Sequence, residues 1–359
     1  KRSKTLWRYK ELLPIIDESC IIDLGAGFTL LHKADKLAKA LKLKELYIKD
    51  DSVNPTYSFK DRPASVAVSK ALEFNYKAVG CASTGNLAAA TAAHAAKAGL
   101  PCYVFIPKNT ELNKIVQAAT YGANIITVKG TYDDANLLAF QAADIYNWAI
   151  VNVNVRPYYV EGSKTLAFEV CEQLKWETPD HVIVPMAILN SICKGFEELQ
   201  KIDFIEKVKI KVTGAQAKGC APIVNAFKSN AKDVTPIERP NTIAKSLAIG
   251  NPGDGNYAIK RIKESGGIAE AANDQEIIDA IKLLAKTEGI FTEPAGGVTI
   301  AVLKKLVENG FINSDEKIIC YVTGNGLKTT EILIEELKKP IEVEPNISSL
   351  ENGLEAVSY

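Results

Sequence analysis

The sequence predicts an α/β protein with mostly parallel sheets, on three observations. Short β-branched apolar runs recur along the chain, helical stretches separate them, and glycine-containing turns join the two. The runs are nearly continuous in apolar character, as strands buried on both faces require.

The strands are expected at 45–49, 78–82, 101–107, 123–129, 149–153, 181–186, 207–213 and 317–322. Helices are expected over 86–98, after the cap residue Thr110, and over 133–145, 166–174, 274–288 and 295–308, the last stopping at Gly310. At roughly 150 residues per domain, 359 residues suggest two domains. The repeated βα units of 78–155 are expected to form a smaller domain. Residues 1–77 and 156–339 would pair as a larger one, and 340–359, with Pro340 and Pro345, as an irregular tail. Ligands of such sheets collect at the carboxyl ends of the strands.

Composition removes several function classes. Lys+Arg and Asp+Glu both number 43, so there is no basic footprint for nucleic acid. No run of about 18 apolar residues predicts a membrane span, and no signal peptide opens the chain, so the expected place is the cytoplasm. The seven cysteines lie at least 21 residues apart, which excludes zinc-ribbon spacing and suggests reduced, buried thiols. A cysteine nucleophile would need a nearby base, and His94, inside an alanine-rich helix, reads as structural. No metal is expected.

Five junctions carry candidate chemistry. Asn54-Pro55-Thr56-Tyr57-Ser58-Phe59-Lys60-Asp61-Arg62 follows a strand and opens a helix, with Ser58 as its expected cap. Lys60 then sits at the positive helix end, where the field favours the neutral amine that a nucleophilic lysine needs. The same spacing also fits a solvated lysine offset by Asp61. Ser83-Thr84-Gly85-Asn86 ends a strand and starts a helix, which suits either an anion nest or simple N-capping. In an extended 152–156, Asn152, Asn154 and Arg156 share one face, either as an anion site or as a solvated edge. Glu293-Pro294-Ala295-Gly296-Gly297 and Thr323-Gly324-Asn325-Gly326-Leu327-Lys328 are two further tight turns. Together these junctions point to one anionic ligand site.

In this order, and with Glu161-Gly162-Ser163-Lys164-Thr165, the motifs resemble the threonine synthase family, pyridoxal-phosphate enzymes of fold type II (the tryptophan synthase β fold). Similarity continues through Trp7-Arg8-Tyr9-Lys10 and through Ser246 to Gly255, so it covers nearly the whole chain. The resemblance implies two three-layer αβα domains, a homodimer, and a lyase converting O-phospho-L-homoserine and water to L-threonine and phosphate. It implies that Lys60 forms the Schiff base with pyridoxal 5'-phosphate and shuttles protons. Phe59, Asn86, Ala187, Ile188 and Thr323 would also hold the cofactor. Ser83, Thr84, Asn86, Asn154, Arg156 and Tyr159 would hold the substrate. Cysteate synthase and threonine dehydratase are relatives that keep the fold and cofactor but change the substrate.

The chain departs from the family pattern in two places. Many relatives carry an arginine that grips the substrate phosphate where this chain has Tyr159; Arg156 is the expected replacement. Between Val184-Pro185 and Lys194-Gly195-Phe196 the family has a glycine-containing loop that cradles the cofactor phosphate. Here eight residues, Met186 to Cys193, stand without a glycine, about three fewer than the pattern. A true loss of the cradle would favour a non-catalytic homologue binding a small ligand; the other cofactor motifs are intact.

Overall fold

A computed structural model describes residues 2–83, 85–108, 112–152, 157–207, 209–336 and 340–355. Residues up to Lys328 pack as one compact unit, and those from Thr329 on as another. The first unit begins with two 3-10 turns, then β1 (Leu31–Lys33), α1 (Asp35–Ala40), β2 (Glu45–Asp50) and α2 (Asp61–Glu73). Next come β3 (Val79–Ala82), α3 (Asn86–Ala98), β4 (Cys102–Pro107), α4 (Leu112–Thr120), β5 (Asn124–Val128), α5 (Tyr132–Tyr146) and β6 (Ala149–Ile150). They are followed by α6 (Tyr158–Gln173), β7 (His181–Pro185), α7 (Leu189–Lys201), β8 (Lys211–Ala217) and α8 (Pro222–Lys228). Then α9 (Gly255–Ser265), β9 (Ala269–Ala272), α10 (Asp274–Glu288), α11 (Pro294–Glu308) and β10 (Lys317–Val322) complete the unit.

Two sheets organise these elements. A four-stranded parallel sheet in the order β5-β4-β3-β6 uses consecutive strands. A six-stranded sheet, β1-β2-β10-β7-β8-β9, is parallel except for β1, which runs antiparallel to β2 with Leu31 opposite Lys49. Strand β10 takes its place between β2 and β7, so the chain's last strand lies at the middle of the large sheet.

Helix α3 is almost wholly buried, and its run of alanines explains how. Small side chains let it approach both the β3–β4 layer and α2. Helix α6 approaches α2 just as closely through Gly162, where a Cβ would lie 2.4 Å from the Arg62 carbonyl oxygen. The expected helix start at 166 therefore falls eight residues late; the Gly162-Ser163 pair is a packing site within a helix, not a turn.

Other elements also shift. The strand expected at 207–213 is observed at Lys211–Ala217, because the small residues after Thr213, not the lysines before it, are covered by neighbours on both sides. Strands β1 and β9 are short and mostly alanine or polar, which hid them. In the second unit a helix, α12 (Ile347–Glu355), stands inside the stretch expected to be irregular. Asn346 starts it: its Oδ1 accepts the Ser349 N–H at 2.9 Å.

Beneath the strand ends lies a buried ion network. The Arg62 guanidinium binds the Asp51 carboxylate at 2.6 and 2.8 Å and also meets Glu169, which Lys49 contacts at 2.7 Å. Burial pushes the Glu169 carboxyl up, but the Arg62 and Lys49 charges outweigh it and hold it at about 2. All seven cysteines are free, and all but Cys20 are buried. Among the described residues no helix is long and apolar enough to cross a membrane.

Candidate active site at the strand ends

Lys60 is the residue that caps α2, with helical angles of its own (φ −62°, ψ −18°). The turn before it is tied to the end of β10: the Phe59 N–H donates to the Thr323 carbonyl at 2.9 Å, and Ser58 bridges to Gly324. The expected cap by Ser58 does not form; its buried hydroxyl has no partner among the described residues. Asp61 closes the turn instead, accepting from the Thr56 N–H at 2.8 Å and from its hydroxyl at 3.0 Å. That occupation also removes Asp61 as the solvated partner of Lys60.

The Lys60 amine sits between two rings, 4.4 Å from the Phe59 centroid and 4.7 Å from that of Tyr159, and is hydrogen-bonded to the Tyr159 hydroxyl. Burial lowers it to about 7, against the opposing pull of the Glu293 carboxylate. The neutral amine expected from the sequence is thus favoured, but desolvation dominates.

The amine lines a cleft at which the ends of three strands from the two sheets converge. Ser83 follows β3, Pro185 ends β7 and Thr323 follows β10; all three line the cleft. At the β3 end the Ser83 hydroxyl accepts the N–H groups of Gly85 and Ala88, both at 3.1 Å. It therefore caps α3 while its own proton stays available to a ligand. Gly85, at φ 154°, holds a backbone angle that side chains rarely permit.

Asn86 opens α3 and is clamped from both sides. Its Nδ2 donates to both Glu293 oxygens at 3.0 Å, and its Oδ1 accepts from the Lys328 amine at 2.9 Å. Glu293, at the start of α11, is buried. Its backbone N–H donates to the Gly324 carbonyl at 3.0 Å. Two turns that looked weak in isolation therefore meet at one side chain.

Of the residues singled out in the sequence, Lys60, Phe59, Ser83, Asn86, Ala187, Ile188 and Thr323 line one cleft. Tyr159 stands against Lys60. Thr84, Asn154 and Arg156 lie outside the described residues. Lys245 and Ser246, in a 3-10 turn (Lys245–Leu247) at the rim, were given no role from the sequence. Tyr132, at the start of α5, also reaches the cleft. No local pattern marks these residues; only Ser246 falls within the stretch of family similarity, which runs from Ser246 to Gly255.

The model of the pyridoxal-phosphate dependent enzymes matches residues 22–324. Threonine synthase of Methanocaldococcus jannaschii is 46% identical over 358 residues, covering 99% of this chain and 88% of that protein. Threonine synthase of Methanosarcina acetivorans is 40% identical, covering 98% and 86%. The chain belongs to the threonine synthase family of pyridoxal-phosphate dependent enzymes. Maize serine racemase aligns with a TM-score of 0.72 at 19% identity, covering 92% of this chain and 94% of that one. Threonine deaminase isoform 2 of Solanum lycopersicum aligns at 0.71 and 21%, covering 92% and 83%. At these identities the two likenesses speak to the fold alone, fold type II.

Pyridoxal 5'-phosphate is the family's cofactor, and the cleft fits it. The near-neutral Lys60 amine would meet its aldehyde, and Asn86 and Thr323, which line the same cleft, would face its ring. At the third corner Ile188 lines the cleft and is the N-cap of the 13-residue α7, whose first turn has no side-chain cap. A helix end of this kind would offer backbone N–H groups to the cofactor phosphate. The family relationship carries the enzyme reading despite the missing glycines.

Proposed function

We propose that this protein converts O-phospho-L-homoserine and water to L-threonine and phosphate in this cleft, as a homodimer in the cytoplasm. The observation that carries the reading is the Lys60 amine, lowered to about 7 and lining a cleft formed by three strand ends, in a chain that belongs to the threonine synthase family.

When bound, pyridoxal phosphate supplies the electron sink that acidifies carbon next to the substrate nitrogen. The remaining work falls to this chain. Lys60 takes and returns protons at Nζ; an amine near 7 is matched to that task at neutral pH. The Ser83 hydroxyl and the start of α3 receive the substrate carboxylate. The Glu293–Asn86–Lys328 clamp keeps the Asn86 amide in one orientation toward the cofactor ring. Phe59, Leu87 and Ile188 form apolar cleft walls that limit water near the reacting carbons.

The test offers O-phosphohomoserine, O-phosphoserine with sulfite, and threonine to the purified protein loaded with pyridoxal phosphate. Phosphate release with threonine formation from the first alone is expected. Faster turnover of either of the others would replace the substrate. Borohydride should attach the cofactor to the wild-type chain and not to Lys60→Ala; equal attachment to both would remove Lys60.

A further inference from the structure

We infer that Tyr159 is a catalytic partner of Lys60: its phenol is the hydrogen-bond partner that holds the Lys60 amine, as acceptor to the ammonium and donor to the neutral amine, while that amine gains and loses its proton. The inference rests on the reading of Lys60 as the reacting amine.

The first ground is contact. The phenol oxygen is hydrogen-bonded to the Lys60 Nζ atom, the atom that carries the chemistry, and the ring covers one side of it. Phe59 covers another side, so the amine has few directions left in which to find a partner.

The second ground is rigidity. Tyr159 is 3% exposed and lies in the second position of α6. Its carbonyl accepts the Ser163 hydroxyl at 3.0 Å. Gly162, three residues on, lets α6 touch the backbone of Arg62 and Pro63, two and three residues after Lys60. The helix start that carries the amine and the helix start that carries the phenol are thus packed backbone to backbone. Placement of this kind is what an acid–base pair needs.

The third ground is charge state. Burial, with Tyr132 from α5 and Asp254 from the segment before α9, pushes the Tyr159 phenol well above its usual range. Glu293 at the start of α11 is the carboxylate that acts on the amine. The phenol therefore stays neutral, and a neutral hydroxyl serves both forms of its partner. When Nζ takes a proton from substrate carbon, the bonding pair remains on the carbon. The new ammonium then donates to the phenol oxygen. When the proton is returned, the neutral nitrogen accepts the phenol O–H. The hydroxyl turns but does not ionise, and no proton is gained or lost overall.

This assignment differs from the expectation that Tyr159 holds the substrate, and from the family pattern in which an arginine at this position grips the substrate phosphate. An arginine there would place a permanent cation beside the amine, whereas tyrosine does not.

Tyr159→Phe removes one oxygen and keeps the buried ring. Two measurements are made: steady-state kinetics of the holoenzyme, and the pH dependence of the rate at which apoprotein captures pyridoxal phosphate, followed by absorbance. We expect kcat to fall about 10- to 100-fold, toward the lower range for lost acid–base assistance, with KM little changed. The capture midpoint should drop by about one pH unit, because the charged amine loses the stronger, charge-assisted hydrogen bond. Unchanged kcat and midpoint would overturn the inference. So would a rise in KM for the phosphorylated substrate alone, since that identifies a phosphate contact. If the wild-type protein captures no pyridoxal phosphate at any pH, the reading of Lys60 fails first and this one falls with it. If capture is normal but phosphohomoserine is not the substrate, the midpoint alone decides.

Discussion

The Glu293 carboxylate fills the space where Gly324 would otherwise carry a side chain: a Cβ there would lie 2.3 Å from Oε1. The glycine is therefore part of how the Asn86 clamp is built. Gly324→Ala should drive the carboxylate off Asn86 and loosen that residue against the cofactor ring. A rise in the dissociation constant for pyridoxal phosphate of about tenfold or more, equivalent to about 1.4 kcal/mol, is expected from a fluorescence titration. An unchanged constant would mean that the clamp does not govern cofactor binding.

Glu293 also acts on Lys60 through its charge, raising the amine against the lowering effect of burial. Capture of pyridoxal phosphate by apoprotein should accelerate as pH rises through about 7, where the amine loses its proton. Glu293→Gln removes the charge that favours ammonium, so the midpoint should move down. A move upward would contradict the assigned sign.

The same amine links stability to pH. Its folded value of about 7 lies below the ordinary 10.5. Between those limits the unfolded chain holds a proton that the folded chain does not, so stability of the apoprotein from this group rises with pH. Lys60→Met should flatten that part of the profile in urea titrations repeated from pH 7 to 10. An identical slope in both proteins would show that other groups set it.

Lys245 stands at the rim of the cleft, in a turn set by the buried Ala244 and by the Thr242 hydroxyl bonded to Asp274 at 2.6 Å. An ammonium there suits the phosphate of the proposed substrate. Lys245→Ala should raise KM about 10-fold, in line with loss of a charge-assisted bond, and leave cofactor binding unchanged. Equal effects on phosphorylated and unphosphorylated ligands would argue against a phosphate contact.

Arg62 bridges two buried carboxylates, Asp51 and Glu169. Arg62→Met would leave both without their main counter-charge. A loss of about 3–5 kcal/mol in unfolding free energy is expected from urea denaturation, the usual scale for breaking a buried pair. A loss under about 1 kcal/mol would place the network nearer the value of exposed ion pairs.

Much of this architecture was legible in local pattern. Helices α3 and α10 appear at the expected bounds because a glycine marks the end of each: Gly99 and Gly289 both adopt left-handed angles just past the last turn. Strand β10 was visible as an apolar run of five residues, Ile318 to Val322. Strands β1 and β9 were not, because pairing with neighbours, rather than their own side chains, makes them strands. The start of α6 was hidden for a related reason. Glycine and serine are weak helix formers, and their place inside α6 shows only when the backbone of α2 is seen against them.

The chain's own residues determined the alternation of strand and helix, the turns that close each unit, and the presence of a lysine at the mouth of α2. Those are properties of periodicity, capping and glycine placement, which act over a few positions. The partners of that lysine were decided by the tertiary structure. Tyr159 lies 99 residues from Lys60, and Asn86 is held by Glu293 and Lys328 from 207 and 242 residues away. Such pairs depend on which strand ends converge and how closely two helices approach, and short-range pattern contains no measure of either.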